Sequence, residues 1–131
     1  MLLDTSGLMC LFDQRDNRHA LATKQYESAT RRLIHNYVFA EFVALVIARR
    51  APLSEALRFI QAIHLSDEIE VVWVDRGLHE QAMRLLAERE DKRWTLCDAV
   101  SFGLMRGAKI GEALTTDHNF EQAGFIRLLD R

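Results

Sequence analysis

Four acidic side chains stand in apolar surroundings that do not favour charge. Asp4 ends the opening run MLL, Glu41 lies inside VFAEFVALVIA, Asp98 sits in TLCDAVSF, and Asp117 ends ALTT. Glu41 shares a helical face with Val38, Leu45 and Ala48, and an ionised carboxylate on such a face needs a compensating charge or hydrogen-bond network. No cation lies at helical neighbour spacing from it. A divalent cation would compensate several acids at once. Hard cations take oxygen ligands, and magnesium binds through one or two carboxylates while keeping waters, which leaves room for substrate phosphate oxygens. Such clusters suit phosphodiester cleavage, where bound metal activates water, neutralises non-bridging oxygens and stabilises the leaving 3′ oxygen. Local readings compete: Asp4 can accept hydrogen bonds from the turn behind it, Asp98 fits a capping box with Thr95, and Asp117 can cap a short turn through Phe120. For Glu41 the competing reading is a salt bridge from a remote Arg or Lys.

The elements that must bring these acids together alternate along the chain. Strand patterns are read at residues 1–3 and in RLIHN, EIEVVWV, EALTT and GFIRL. Helical patterns fall between them: SGLMCLF with Ser6 as its cap, residues 18–32, a long segment behind Asn36 as its cap, and LSEALRFIQAI after Pro52. Another runs from Asp75 to about Arg89, and a last one from Thr95 with Gly107 as its stop. Alternation of this kind predicts an α/β fold of three layers, a mostly parallel sheet with helices on both faces, and right-handed crossovers suggest the strand order 3-2-1-4-5. Ligands of open parallel sheets bind beyond the carboxyl ends of strands where the winding reverses, here between strands 1 and 4. That sets Asp4 and Asp117 facing each other. Phe42 and Trp73 are expected in the core, and His35, His64 and His79 on helix surfaces or strand edges rather than as ligands.

With 131 residues and 49% hydrophobic content, the chain reads as a single domain, 1–131, able to bury a core without disulfides. Cys10 and Cys97 show no metal-ligand or secreted-disulfide spacing, which points to a reducing compartment and to no function for either. The start has no basic segment before its apolar run and meets Asp4 early, so neither a signal peptide nor a membrane span is expected, and a cytoplasmic protein is. The net charge of −2 excludes binding nucleic acid through bulk positive charge. Without the four acids the remainder is positive. The pairs Arg31-Arg32, Arg49-Arg50 and Lys92-Arg93 are available to a phosphate backbone, but each reads first as a solvated helix end.

Taken in order, LLDTS, NYVFAEFVAL, TLCDAVSF and LTTDHNF resemble the four acidic motifs of PIN-domain ribonucleases, and most closely those of VapC-like toxins of type II toxin–antitoxin pairs. The resemblance covers essentially the whole chain. It implies a PIN-like fold and a metal-dependent endoribonuclease using Mg2+ or Mn2+, with Asp4, Glu41, Asp98 and Asp117 as the catalytic and metal-binding acids. It also implies supporting hydroxyls at Thr5, Ser6, Ser101 and Thr116, products with a 5′ phosphate and a 3′ hydroxyl, a homodimer, and a VapB-like antitoxin covering the cleft. His118 and Asn119 follow Asp117 in a segment that varies among relatives; Asn119 is a candidate substrate contact. Trp94, beside Lys92 and Arg93, is a second candidate, as a platform for an exposed base, against the plainer role of packing at the rim.

Two other functions compete for the same residues. A catalytically idle PIN-fold module acting by RNA or protein binding would not need a complete acid set. Phosphotransfer on Asp75, as in receiver-like domains, would want a paired acid after strand 1 and a lysine after the last strand; DTS and FIRLLDR offer neither.

Overall fold

The computed structural model describes residues 1–129, so the last two residues of the expected 1–131 domain lie outside the described residues. Five short strands, β1 (Leu2–Leu3), β2 (Leu33–His35), β3 (Glu70–Val72), β4 (Glu112–Leu114) and β5 (Ile126–Arg127), pair in parallel in the order β3-β2-β1-β4-β5. The expected order and three-layer class are both observed. Between the strands run α1 (Thr5–Phe12), α2 (His19–Ser28), α3 (Asn36–Ala48), α4 (Leu53–Leu65), α5 (Arg76–Glu88), α6 (Leu96–Ala108) and α7 (Asn119–Gln122).

Alternation within the strands divides the core into two layers, because successive side chains leave a strand on opposite faces. Leu3, Ile34 and Leu114 pack with Leu8, Val38, Phe42 and Ala56 on the α1–α4 face. Leu2, Leu33 and Ala113 pack with Trp94, Phe102 and Phe120 on the other face. Phe102 anchors this second layer: the Trp94 and Phe120 rings meet it edge-on, each at 5.0 Å between centroids. Phe42 is in the core as expected.

Several local expectations are corrected. Ser6 does not cap α1; the helix begins at Thr5 with Asp4 in the cap position, and the Ser6 hydroxyl is drawn instead to the end of β4. Asn36 is the first residue of α3 rather than its cap, and its side-chain oxygen accepts from the Val74 N–H at 2.6 Å, tying α3 to the chain after β3. Helix α6 runs through Gly107 and stops at Lys109, whose φ of 56° is left-handed. Trp73 lies just past edge strand β3, 66% exposed, with only the His64 ring stacked on it. His35 is fully buried, because β2 has neighbours on both sides and α6 above.

The close approach of α1 to the sheet depends on one residue. A Cβ on Gly7 would lie 1.9 Å from the backbone oxygen of Leu114, so only glycine lets α1 rest against the end of β4. Gly107, also helical, has open space around its missing Cβ. We therefore expect Gly7→Ala to lower stability by at least ~1–3 kcal/mol through overpacking. Gly107→Ala should raise it by ~0.5–1 kcal/mol through helix propensity. Thermal melts of the two variants against the parent check both signs.

Candidate active site

Leu3 pairs with Leu114 in the ladder between the central strands, so Asp4 leaves β1 beside the residues that follow β4. Asp4 is 5% exposed. Glu41 arrives from the middle of α3, where the Thr5 hydroxyl donates to its Oε1 at 2.7 Å. Asp98 enters on the first turn of α6, held by a complete capping box: Thr95 N donates to its Oδ2 at 3.1 Å, and its own N–H donates to the Thr95 hydroxyl at 3.0 Å. Asp117 closes the arrangement from the loop after β4, with Oδ1 accepting from Asn119 N at 2.9 Å. All four acids line one pocket of about 220 Å³ at the carboxyl ends of the strands. The capping box read for Asp98 is therefore present, while Asp117 accepts from Asn119 N in the turn before α7, whose cap position is His118, and neither local role excludes a shared site.

A hydroxyl network holds the floor of this pocket, centred on a residue that pattern alone had passed over. Thr115, fully buried, donates to Asp4 Oδ2 at 2.7 Å and accepts from Asp117 N at 3.0 Å, so one side chain spans two of the acids. Ser6 shares a hydrogen bond with the Thr115 hydroxyl at 3.0 Å and accepts from Thr116 N at 2.9 Å. The supporting position is thus Thr115 rather than Thr116, which offers its backbone only. Strand register carried the signal: one step beyond Leu3 and Leu114, Asp4 stands opposite Thr115.

Other expected residues are placed as follows. Ser101 is buried one turn beyond Cys97, but its hydroxyl bonds His35 Nε2 at 2.8 Å rather than a carboxylate. Asn119 bridges two acids, its Nδ2 donating to Asp98 Oδ2 at 3.2 Å and Asp117 Oδ2 at 3.4 Å. His118 lies at the surface beside Asp117. Trp94 is corrected: its ring is buried against Phe102 and its N–H donates to Gln122, so it has no free face for a base. Cys97, read as without function, proves to lie against the acids, with ligand-capable atoms of Asp4, Glu41 and Cys97 all within 4.8 Å of one another.

Crowded, poorly hydrated carboxylates resist ionisation. Burial above all, then the charges of Asp98 and Glu41, raise Asp4 to about 7 despite the opposing Thr115 hydrogen bond. Asp98 is raised too, first by burial and then by Asp117 and Glu41, against the hydrogen bonds from Thr95 and Asn119. Burial, then Glu41 and Asp4, push the Cys97 thiol well above the usual range, so it remains protonated. An oxygen-rich set whose members repel one another and bury their charge is what a hard divalent cation relieves, so the donor set fits such an ion.

With this geometry in view, comparison with known proteins is decisive. The PIN domain family profile matches residues 1–126. The chain belongs to the PIN-domain family. Among curated relatives, the 23S rRNA-specific endonuclease VapC20 of Mycobacterium tuberculosis, in strains CDC 1551 and H37Rv, is 31% identical over 132 residues, covering 98% of this chain and 97% of the relative. The crystal structure of Mycobacterium tuberculosis VapC20, described as a Sarcin-Ricin loop cleaving toxin, matches this PIN domain with a TM-score of 0.86 at 31% identity, over 95% of each chain. This PIN domain is therefore VapC-like.

The raised Asp4 has a consequence for stability. Its carboxyl ionises near 3.8 in the unfolded chain and at about 7 in the folded one, so the folded state holds the extra proton between those values. Stability from this group is full below the lower value and is lost as pH rises through the upper one. In metal-free buffer, Asp4→Asn should melt close to the parent at pH ~4 and progressively above it towards pH ~8. Melting curves across that range check the sign; a gap that closes as pH rises contradicts it.

Proposed function

We propose that this VapC-like PIN domain, taken as one domain over 1–131, is a metal-dependent endoribonuclease and the toxin of a toxin–antitoxin pair. The observation that carries the reading is the convergence of Asp4, Glu41, Asp98 and Asp117 on one pocket from four separate elements. Mg2+ or Mn2+ held by these acids would supply Lewis acidity to the scissile phosphate and a nucleophilic water at neutral pH. The chain's own residues do the positioning. Thr115 and Ser6 orient Asp4, Thr5 orients Glu41, and Asn119 sets the spacing of Asp98 and Asp117. Glu41, which has solvent on one side, accepts the proton of the attacking water. Proton return to the leaving oxygen from solvent leaves a 3′ hydroxyl and a 5′ phosphate.

The partners follow from the same reading: RNA as substrate, a VapB-like antitoxin, and a second copy of the chain. Exposure of Trp73 (66%) and Leu65 (76%) supports a homodimer, since a partner would cover them. Among the described residues no helix is long and apolar enough to cross a membrane, which is compatible with action in the cytoplasm. The action of VapC20 on 23S rRNA makes ribosomal RNA the first substrate to test. An idle binding module is disfavoured by the complete acid set and by the hydroxyls spent on orienting it.

Incubation of ribosomal RNA with the purified protein, followed by mapping of the fragment ends, tests the proposal. Cleavage should require Mg2+ or Mn2+, stop with chelator and return when metal is restored. Asp98→Asn should abolish it. Thr115→Val should cost ~10–100-fold in activity, the usual effect of removing a group that orients a metal ligand. Thr116→Val should cut as the parent does. Chelator-insensitive cleavage, or full activity in Asp98→Asn, would reject the mechanism.

A further inference from the structure

Cations are unevenly distributed around the acid pocket. Some arginines elsewhere on the surface are paired, Arg31 with Glu70 at 3.1 Å, Arg76 with Glu80 at 2.8 Å and Arg127 with Glu121 at 2.9 Å, while Arg58, Arg84, Arg93 and Arg106 are exposed and in no ion pair among the described residues, so it is position that sets the pair at the end of α3 apart. Arg49 and Arg50, at the end of α3, are exposed and belong to none of the ion pairs among the described residues. Arg49 lines the acid pocket. It also lines a neighbouring cleft of about 700 Å³ between the end of α1 and the turn from α3 into α4, and Met9 is likewise common to both. The two cavities therefore adjoin, one floored with acids and the next edged with arginines.

We propose that this cleft carries the RNA strand on one side of the scissile phosphate, with Arg49 and Arg50 engaging its backbone; the inference rests on the nuclease reading above. Charge complementarity supports the assignment. Arg15, 89% exposed, also lines the cleft, in a loose pair with Asp13 at 3.5 Å. Asp13 and Glu55 are the acids that line the cleft, against Arg15, Arg49 and Arg50, so the phosphates lie on the arginine side. Phe12 and Pro52 supply apolar wall against which a base can rest, as in other single-strand tracks where aromatic surface and backbone cations act together. The cleft has room for more than a single phosphate, and the acid pocket, where Asp4, Asp16, Glu41, Asp98 and Asp117 outnumber Arg18 and Arg49, would repel the flanking backbone that Arg49 and Arg50 attract. The basic pair thus has a role besides that of a solvated helix end.

Arg50 allows a clean test, because its φ of 55° suits glycine better than arginine. Arg49→Ala/Arg50→Gly removes both guanidinium groups without straining the backbone, and a thermal melt confirms folding. Binding of a dye-labelled single-stranded RNA of mixed sequence is measured by fluorescence anisotropy over a range of salt, with chelator present so that nothing is cut. The double variant should bind about tenfold more weakly at low salt, and its slope of log affinity against log salt should fall by about 1.4, the loss of two phosphate contacts on a single strand. Arg31→Ala, at the opposite end of the sheet, should match the parent in both. Unchanged affinity and slope in the double variant would overturn the track even if the parent cuts RNA and Asp98→Asn does not. A parent that binds no RNA overturns it as well. A parent that binds with the expected arginine dependence but cuts nothing would keep the track and reject the nuclease.

Discussion

The rest of the site depends on holding Asp4 out of water at the end of the central strand, within the field of the Asp98 and Glu41 carboxylates. Repulsion and lost hydration both oppose this placement, and its folded ionisation is raised accordingly. The fold meets the cost with covalent neighbours and hydrogen bonds rather than with a buried cation of its own. Thr115 gives Asp4 a short hydrogen bond, Ser6 reinforces Thr115, and glycine at position 7 lets α1 lie close enough to β4 for the three to meet. The remaining unfavourable energy is what a divalent cation would remove, and under the proposed function the empty protein would give up stability for affinity toward metal and, through metal, toward phosphate.

Much of this was legible in the sequence, for physical reasons that differ by residue. Strand order followed from alternating elements and the handedness of crossovers. The acids stood out because a carboxylate that ends or interrupts an apolar run must be compensated, and Glu41 most of all. Adjacent residues of like chemistry were not separable in the same way. Thr115 and Thr116 are both β-branched hydroxyls before an aspartate, and only the β1–β4 register decides which one faces Asp4. The family resemblance implies a supporting hydroxyl at Ser101 and a local capping rule points to Asn36, but long-range partners, His35 and Val74 N–H, claim their side chains. Trp94 takes the packing role weighed against base stacking, while Trp73, expected in the core, is exposed. A large aromatic ring goes where the tertiary structure leaves space, and Phe102 provides that space for Trp94 but nothing comparable exists beyond edge strand β3.

Family membership and local geometry support each other without being the same statement. The likeness to VapC20 spans nearly all of both chains and establishes a VapC-like PIN domain. The chemistry around the acids is a matter of this chain's own structure. Cys97 puts a protonated thiol beside the carboxylates of Asp4 and Glu41, and Met9, Cys10 and Leu45 add low-polarity surface to the pocket that the acids line. Arg49 stands where the acid pocket meets the next cleft, so that negative and positive surfaces adjoin over the length of one side chain. Such a boundary suits a polyanion that must be bound along its length and attacked at one phosphate.

If the four acids are gathered to hold a divalent cation, anomalous diffraction from crystals grown with Mn2+ will show a manganese peak inside the pocket, within ligand distance of Asp4 and at least one of Glu41, Asp98 and Asp117. A well-ordered pocket with no manganese peak, or with manganese only at other surface acids, would contradict it.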